Sequence, residues 1–315
     1  MTRRLRILTW HVHGNYLYNL TQVPHDWYLV HDDRRPEHHS GRSGTLPWGD
    51  NVHDLPVESL RGSEFDVVVF QSRNEWERVQ HELLSDAQRR LPRIYIEHDP
   101  PQGHPTDTRH WVDDRNVLLV HVTHFNRLMW DAGATPTRVI EHGVRPLSPA
   151  RYSGHLERGI VVVNNLESRG RRLGLDVYRD VARQVPLELV GMNSTAVGGA
   201  GEVANARLPE VMAAHRFFFN PIRYTSLGLA IIEAMLVGLP IVGLATTELV
   251  TVIRNGENGF IDTDPAVLVA RMHELIADPG LARRLGEAAR ATAAERFAIE
   301  RFVADWERAL AEVAN

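Results

Sequence analysis

Glu233 is the residue whose setting most demands a chemical explanation. It is the only charged residue in the apolar run Leu227–Val237, a segment that opens on Ser226-Leu227-Gly228-Leu229. Burying a carboxylate on an apolar helix is costly unless something donates hydrogen bonds to it, so its position calls for a ligand. The amino end of such a helix offers unpaired N–H groups and the positive end of a dipole, which suit a phosphate, and Gly228 lets the backbone approach closely. A second set of chemistry-bearing residues is basic: Arg169, Arg171 and Arg172 follow the apolar run Val161-Val162-Val163. Planar guanidinium groups match phosphate oxygens. A third set is histidine-rich, with His98 after Tyr95-Ile96-Glu97, His11 and His13 after the first apolar run, and His121 and His124 further on. Metal ligation by the His11/His13 or His121/His124 pair would need three or four converging groups, and no metal site is expected.

Composition removes several chemistries. The 315 residues contain no Cys, and all 35 basic residues are Arg, with no Lys in the chain. Thiol nucleophiles, disulfides, Schiff-base lysines and a P-loop lysine are therefore excluded. The net charge of −5 argues against a nonspecific nucleic-acid binder. The amino-terminal stretch MTRRLRILTWHVHG is too short and interrupted for a signal sequence and reads as a first strand. Glu233, Gly238 and Pro240 split the longest apolar stretch, Leu227–Ala245, so no transmembrane segment is expected. The expectation is a cytoplasmic chain with at most peripheral contact at the inner membrane face.

The elements that position these residues alternate between short apolar strands and helical periodicity, the pattern of an α/β protein with parallel sheets. In the first half, strands are expected at Arg6–Trp10, Trp27–Val30, Asp66–Phe70, Arg93–Glu97, Val117–Val120 and Thr137–Ile140, and helices at Tyr16–Thr21, Glu75–Arg90 and Phe125–Ala132. Polar segments without periodicity predict long loops at His31–Asp54 and Pro100–Asp114. Strands in the second half fall at Ile160–Val163, Leu187–Val190, Phe217–Asn220, Ile241–Leu244 and Gly259–Asp262. The helices there are Arg171–Gln184, Leu208–His215, Ser226–Val237, Glu248–Arg254, Pro265–Ala277, Pro279–Ala294 and Ala298–Val313. Length and this pattern predict a first domain over 1–145, a linker over 146–158, a second domain over 159–297 and a closing helix over 298–315. The apolar stripe of that helix, Ile299, Phe302, Val303, Trp306, Leu310 and Val313, reads as a packing face, with a membrane or partner face as the alternative.

The order strand, Ser226–Leu229, helix, Glu233, Gly238-Leu239-Pro240, strand, followed by Asn255-Gly256-Glu257-Asn258-Gly259, resembles retaining glycosyltransferases of family 4 (group 1). The resemblance is strongest over Gly159–Asp262. It implies the glycosyltransferase-B fold: two Rossmann-like domains facing a cleft, with the last helix crossing back to the first domain. It assigns Glu233 to the two ribose hydroxyls of a nucleotide, the 226–229 helix start to the donor diphosphate, and Arg169 and Arg172 to the leaving nucleoside diphosphate, with Arg171 an alternative. His98 corresponds to the family's strand-end histidine that contacts the donor sugar, and Gly14 to a glycine turn facing the diphosphate. Two positions depart from the family pattern. Thr225 stands where a first motif glutamate contacts the donor sugar, and Ala245-Thr246-Thr247-Glu248 stands where a glycine pair is common.

The implied reaction is metal-independent transfer of a sugar from a nucleoside-diphosphate sugar to a hydroxyl of a carbohydrate, lipid-linked or small-molecule acceptor, with retained anomeric configuration and no cofactor. The acceptor is expected at the first domain, near the two long loops, where Trp27, Tyr28, Trp48 and Trp111 are candidates for stacking on sugar rings. Because Thr225 lacks a carboxylate, a non-catalytic nucleotide-sugar-binding or assembly protein is the alternative, followed by a nucleotide-sugar epimerase.

Overall fold

The computed structural model describes residues 3–34 and 39–314; residues 35–38, inside the loop expected at His31–Asp54, lie outside the described residues. The chain forms two compact units, Met1–Gly143 with Ile299–Asn315, and Val144–Ala298.

The first unit is built on a seven-stranded sheet in the order β3-β2-β1-β4-β5-β6-β7. Its strands are β1 (Arg6–Thr9), β2 (Asp26–His31), β3 (Val52–Pro56), β4 (Val67–Phe70), β5 (Arg93–Glu97), β6 (Val117–His121) and β7 (Thr137–Val139). Every pairing is parallel. Runs such as Val67-Val68-Val69-Phe70 are buried throughout, as a sheet covered on both faces requires. The chain starts in the middle of the sheet, runs outward to β3 and returns to β4, which is the Rossmann order with its switch point between β1 and β4.

Elements of this unit differ from the sequence reading, among them a short helix at Val57–Leu60 that was not expected. Val52–Pro56 is a strand at the sheet edge, in register with β2, where a loop was expected to run to Asp54. Only Val52 and Leu55 are buried there, and a five-residue stretch that pairs on one side carries too weak an alternation to be read locally. The helix expected over Glu75–Arg90 is broken into a π-turn at Glu75–Val79, a helical turn at Gln80–Leu83 and a 3-10 turn at Gln88–Arg90. A capping box opens each of the two pieces, and the second lies at the interruption. Ser72 Oγ accepts from Glu75 N–H while Glu75 accepts from Ser72 N–H, and Ser85 and Gln88 repeat the exchange.

The closing helix, Ile299–Ala314, belongs to this first unit. Phe302, Trp306 and Leu310 are fully buried, Phe302 meets the Tyr16 ring at 5.8 Å, and Arg301 donates to the carbonyls of Glu141 and His142. The apolar stripe is thus used for packing within the chain. Among the described residues no helix is long and apolar enough to cross a membrane.

The second unit has a five-stranded parallel sheet in the order β12-β11-β10-β8-β9. The strands are β8 (Leu156–Val162), β9 (Leu187–Val190), β10 (His215–Asn220), β11 (Ile241–Leu244) and β12 (Gly259–Asp262). Period-two alternation sorts the core into two layers: Phe218 faces one set of helices, while Phe217 and Phe219 face the other. Residues 146–158, expected as a linker, pack with this unit; Tyr152 N–H bonds Val237 O at 3.0 Å and β8 already begins at Leu156.

Candidate functional site

The switch point of the second sheet lies between β8 and β10, so the loops leaving their carboxyl ends define the crevice where α/β proteins bind ligands. Those loops, 163–174 and 221–228, are held together at three places. Gly174 has φ +80°, and a Cβ there would lie 1.9 Å from Pro221 O, so only glycine permits the contact. The Arg172 carbonyl accepts the N–H groups of Arg223 and Tyr224. The Arg223 guanidinium reaches back to Arg171 O and makes a two-pronged pair with Asp176. Those hydrogen bonds from Arg223 hold the Asp176 carboxyl down at about 2. A third loop joins them, since Thr246 Oγ1 donates to Ile222 O at 3.0 Å.

The helix Leu229–Val237 starts beyond this junction. It begins three residues later than the sequence suggested, with Gly228 as its N-cap and no side chain capping its first turn. Ile231 N–H donates to Gly228 O at 3.1 Å, and the N–H groups of Leu229 and Ala230 are available to an outside acceptor. Gly228 has an ordinary φ of −70°, and a Cβ built on it meets nothing within 4 Å. Neither backbone conformation nor packing among the described residues demands glycine here. Leu227 is 3% exposed and belongs to the core, so its side chain takes no part in a site; Thr225 and Ser226 are half-buried.

Glu233 lines a pocket of about 130 Å³ together with Arg145, Asn205, Pro209, Leu236 and Arg290. Among the described residues its carboxylate has no hydrogen-bond or ion-pair partner, and burial pushes it up to about 7. The helix is apolar on nearly every side, and Ile232, Ala234 and Met235 beside Glu233 are fully buried. Such a helix is positioned by the core.

The structure separates the three arginines of the basic loop. Arg171 is paired with Asp176 and so belongs to the junction. Arg169 is half-buried at the end of the helical turn Leu166–Arg169. Arg172 is half-buried with its backbone fixed by the junction, and among the described residues its guanidinium has no hydrogen-bond or ion-pair partner. Where a glycine pair is common in the resembling family, Thr247 adopts φ +51°, a left-handed conformation that a β-branched side chain rarely takes.

In the first unit, His98 follows β5 and lies beside the switch-point loops, next to His13 after β1 and Gln71 after β4. Gln71, following β4, donates from Nε2 to Trp10 O, which turns its Oε1 toward His98 Nε2 at 3.2 Å. His98 must donate through Nε2, leaving Nδ1 as an acceptor. Burial, reinforced by His13 and His142, holds the ring well below the usual histidine range, so it is neutral. His13 and Tyr16 pack on it with ring centroids at 4.2 and 4.6 Å. Gly14 starts the helix Gly14–Leu20, and a Cβ there would meet His11 Nε2 at 3.0 Å. Its small size thus seats the His11 ring.

Other candidates are assigned by burial. Trp27 is fully buried, with Nε1 bonded to Val23 O, and is a core residue rather than a sugar platform. Tyr28 packs between the Arg6 guanidinium and the His53 ring. Trp48 is half-buried with His11 at its edge. Among the described residues no group of three or more His, Asp or Glu is arranged to hold a metal ion. Sequence reasoning missed Gly174, Asp176, Arg223 and Gln71, because their roles depend on which loops adjoin.

Comparison with known proteins agrees with this geometry. Residues 172–278 match the family described as "Glycosyl transferases group 1". A D-inositol 3-phosphate glycosyltransferase of Streptomyces bingchenggensis is 37% identical over 92 residues, which is 29% of this chain and 18% of that protein's length. Sucrose-phosphate synthase from Thermosynechococcus elongatus superposes with a TM-score of 0.70 at 18% identity, over 98% of this chain and 99% of its own. Anabaena HepE in complex with UDP-glucose superposes with a TM-score of 0.70 at 17% identity, over 98% and 100% of the two chains. Over residues 172–278 the chain is thus similar to the group 1 glycosyl transferases, and it has the two-domain, Rossmann-like glycosyltransferase-B fold.

Proposed function

We propose that this chain transfers a sugar from a nucleoside-diphosphate sugar, with UDP as the base-bearing half, to an acceptor hydroxyl with retention of anomeric configuration. The carrying observation is Glu233: a half-buried carboxylate with no partner among the described residues, lining a pocket on the helix whose first turn has no side-chain cap. A ribose diol supplies the two donors this carboxylate lacks. Arg172, its guanidinium also without a partner among the described residues, and the helix amino end would stabilise the charge that develops on the departing diphosphate. This division of labour places leaving-group stabilisation on protein groups, so no metal is invoked. Within the first unit, neutral His98, accepting through Nδ1, is suited to orienting a hydroxyl group and carries no charge. UDP is named because Anabaena HepE was solved with UDP-glucose.

The test is a thermal-shift panel of UDP-, GDP- and ADP-sugars followed by detection of UDP release and product. A stabilising shift with a UDP-sugar is expected, and Glu233→Ala should remove most of it. Absence of any shift across the panel sinks the donor site. A second reading, binding without transfer, is favoured by Thr225, whose hydroxyl cannot balance positive charge as a carboxylate would. It predicts a shift without turnover, and Thr225→Glu would then be expected to create turnover.

A further inference from the structure

The first unit carries a cleft at the amino ends of its central strands, opposite the strand end that bears His98. Leu5, His25, Asp66 and Pro92 stand immediately ahead of β1, β2, β4 and β5, and the closing helix flanks them with Glu307, Ala311 and Ala314. The cleft has two lobes, of about 410 and 540 Å³, which share Arg3, Phe65, Asp66 and Leu91 along their border. That room suits a small organic ligand. The first lobe is largely apolar, with Leu5 and Phe65 buried in its wall. His25 is 5% exposed, and its Nδ1 accepts from Leu5 N–H at 3.3 Å. Its proton is therefore on Nε2, which has no partner among the described residues. Burial holds the ring below the usual histidine range, against the opposing charge of nearby Glu307, so it is a neutral donor. The Glu307 carboxylate is half-buried and has no hydrogen-bond or ion-pair partner among the described residues. A donor and an acceptor thus share one apolar lobe.

The second lobe is basic. Arg3 pairs with Asp66, and Arg4 pairs with Asp26 at 2.9 Å. Arg6 and Arg61 are instead fixed by carbonyl groups. Arg6 Nε donates to Glu64 O at 2.8 Å with its guanidinium over the Tyr28 ring, while Arg61 donates to Leu83 O and Glu82 O. Carbonyls orient a guanidinium without cancelling its charge, and the remaining N–H groups of both forks have no partner among the described residues. The four guanidinium groups of this lobe face the carboxylates of Asp26, Asp66 and exposed Glu64, which leaves one positive charge uncancelled. Ser85 Oγ accepts from Gln88 N–H and keeps its own proton for a further acceptor.

We propose that this cleft binds a nucleoside monophosphate, with the base in the apolar lobe and the phosphate among Arg6, Arg61 and Ser85. A nucleobase edge sets a donor beside an acceptor, which matches the Glu307 carboxylate and His25 Nε2–H, and its ring faces match the apolar wall. The phosphate takes the free N–H groups of the two arginine forks. The cleft lies wholly in the first unit, and its ligand does not depend on the role of Glu233.

Titration calorimetry on the full chain carrying Glu233→Ala, which disables the donor site if the proposed function holds, tests this with AMP, GMP, CMP and UMP, their nucleosides, and ribose 5-phosphate. At least one monophosphate is expected to bind about tenfold or more tightly than both its own nucleoside and ribose 5-phosphate. Arg61→Gln should weaken that monophosphate about tenfold and leave the nucleoside unchanged. Ala311→Trp, which fills the apolar lobe at a half-buried lining residue, should reduce the monophosphate to the affinity of ribose 5-phosphate. No binding of any monophosphate, ribose 5-phosphate binding as tightly as every monophosphate, or affinity unchanged by Arg61→Gln or by Ala311→Trp overturns the proposal. Failure of the donor reading is read separately, as absence of the UDP-sugar thermal shift in the wild-type chain.

Discussion

Arg223 and Asp176 form a two-pronged ion pair, with Nη2 to Oδ2 at 2.8 Å, that ties the loop after β10 to the helix after the basic loop. Asp176 lies in the first turn of the helix Leu175–Ala182, and Arg223 precedes Gly228 by five residues. The pair therefore sets the spacing between Arg172 and the amino end of the Glu233 helix. It is about one-third exposed, so its own contribution to stability is small.

Arg223→Ala is accordingly expected to weaken UDP binding about tenfold while changing stability by roughly 1 kcal/mol or less. Calorimetric titration paired with chemical denaturation separates the two effects. Unchanged affinity would remove the pair from any positioning role.

Gly174→Ala tests the same junction more severely. The new methyl group would collide with Pro221 O, and φ +80° is unfavourable for alanine. The loops must part, so a loss of roughly 2 kcal/mol in stability and a larger loss of UDP affinity than in Arg223→Ala are expected. A folded variant with native affinity would show that loop spacing is unimportant.

Glu233 provides a pH test with a defined sign. Its carboxyl titrates near 7 when folded and at the ordinary carboxylate value when unfolded. Relative to glutamine, its stability contribution is fully present below pH 4.5 and lost as pH rises through 7. Glu233→Gln should therefore stabilise the ligand-free protein by roughly 1–3 kcal/mol at pH 8 and by little at pH 4. Binding has the opposite slope, because ribose hydroxyls donate to the ionised form. UDP-glucose, whose diphosphate does not titrate here, should bind wild type more tightly at pH 8 than at pH 6. A flat profile in wild type, or the same profile in Glu233→Gln, would count against the ribose role.

Thr247 holds a left-handed backbone conformation at φ +51°. Relief of this strain outweighs the added freedom of glycine in the unfolded chain, so Thr247→Gly should stabilise the protein by about 1 kcal/mol. Denaturant midpoints at constant m-value provide the check, and a destabilised variant would contradict the strain assignment.

The strands were legible because buried parallel strands are written as short apolar runs: Arg93–Glu97, Leu187–Val190, Ile241–Leu244 and Gly259–Asp262 coincide with the observed elements. The edge strand Val52–Pro56 was not legible, since its partner on β2 supplies the reason it is extended. Within the site, the oddity of Glu233 was visible as a charge in an apolar run, and so was the arginine loop. Which arginine remains unengaged was not: Arg171 and Arg172 are chemically identical neighbours, and only the approach of Asp176 commits the first to structure. Gly174 and Gly228 likewise read alike in the chain. The fold distinguishes them, because one glycine is demanded by Pro221 O and the other faces open space. Local pattern determines which segments are buried, whereas the use of each polar group depends on neighbours far away in sequence, and those are set by strand order.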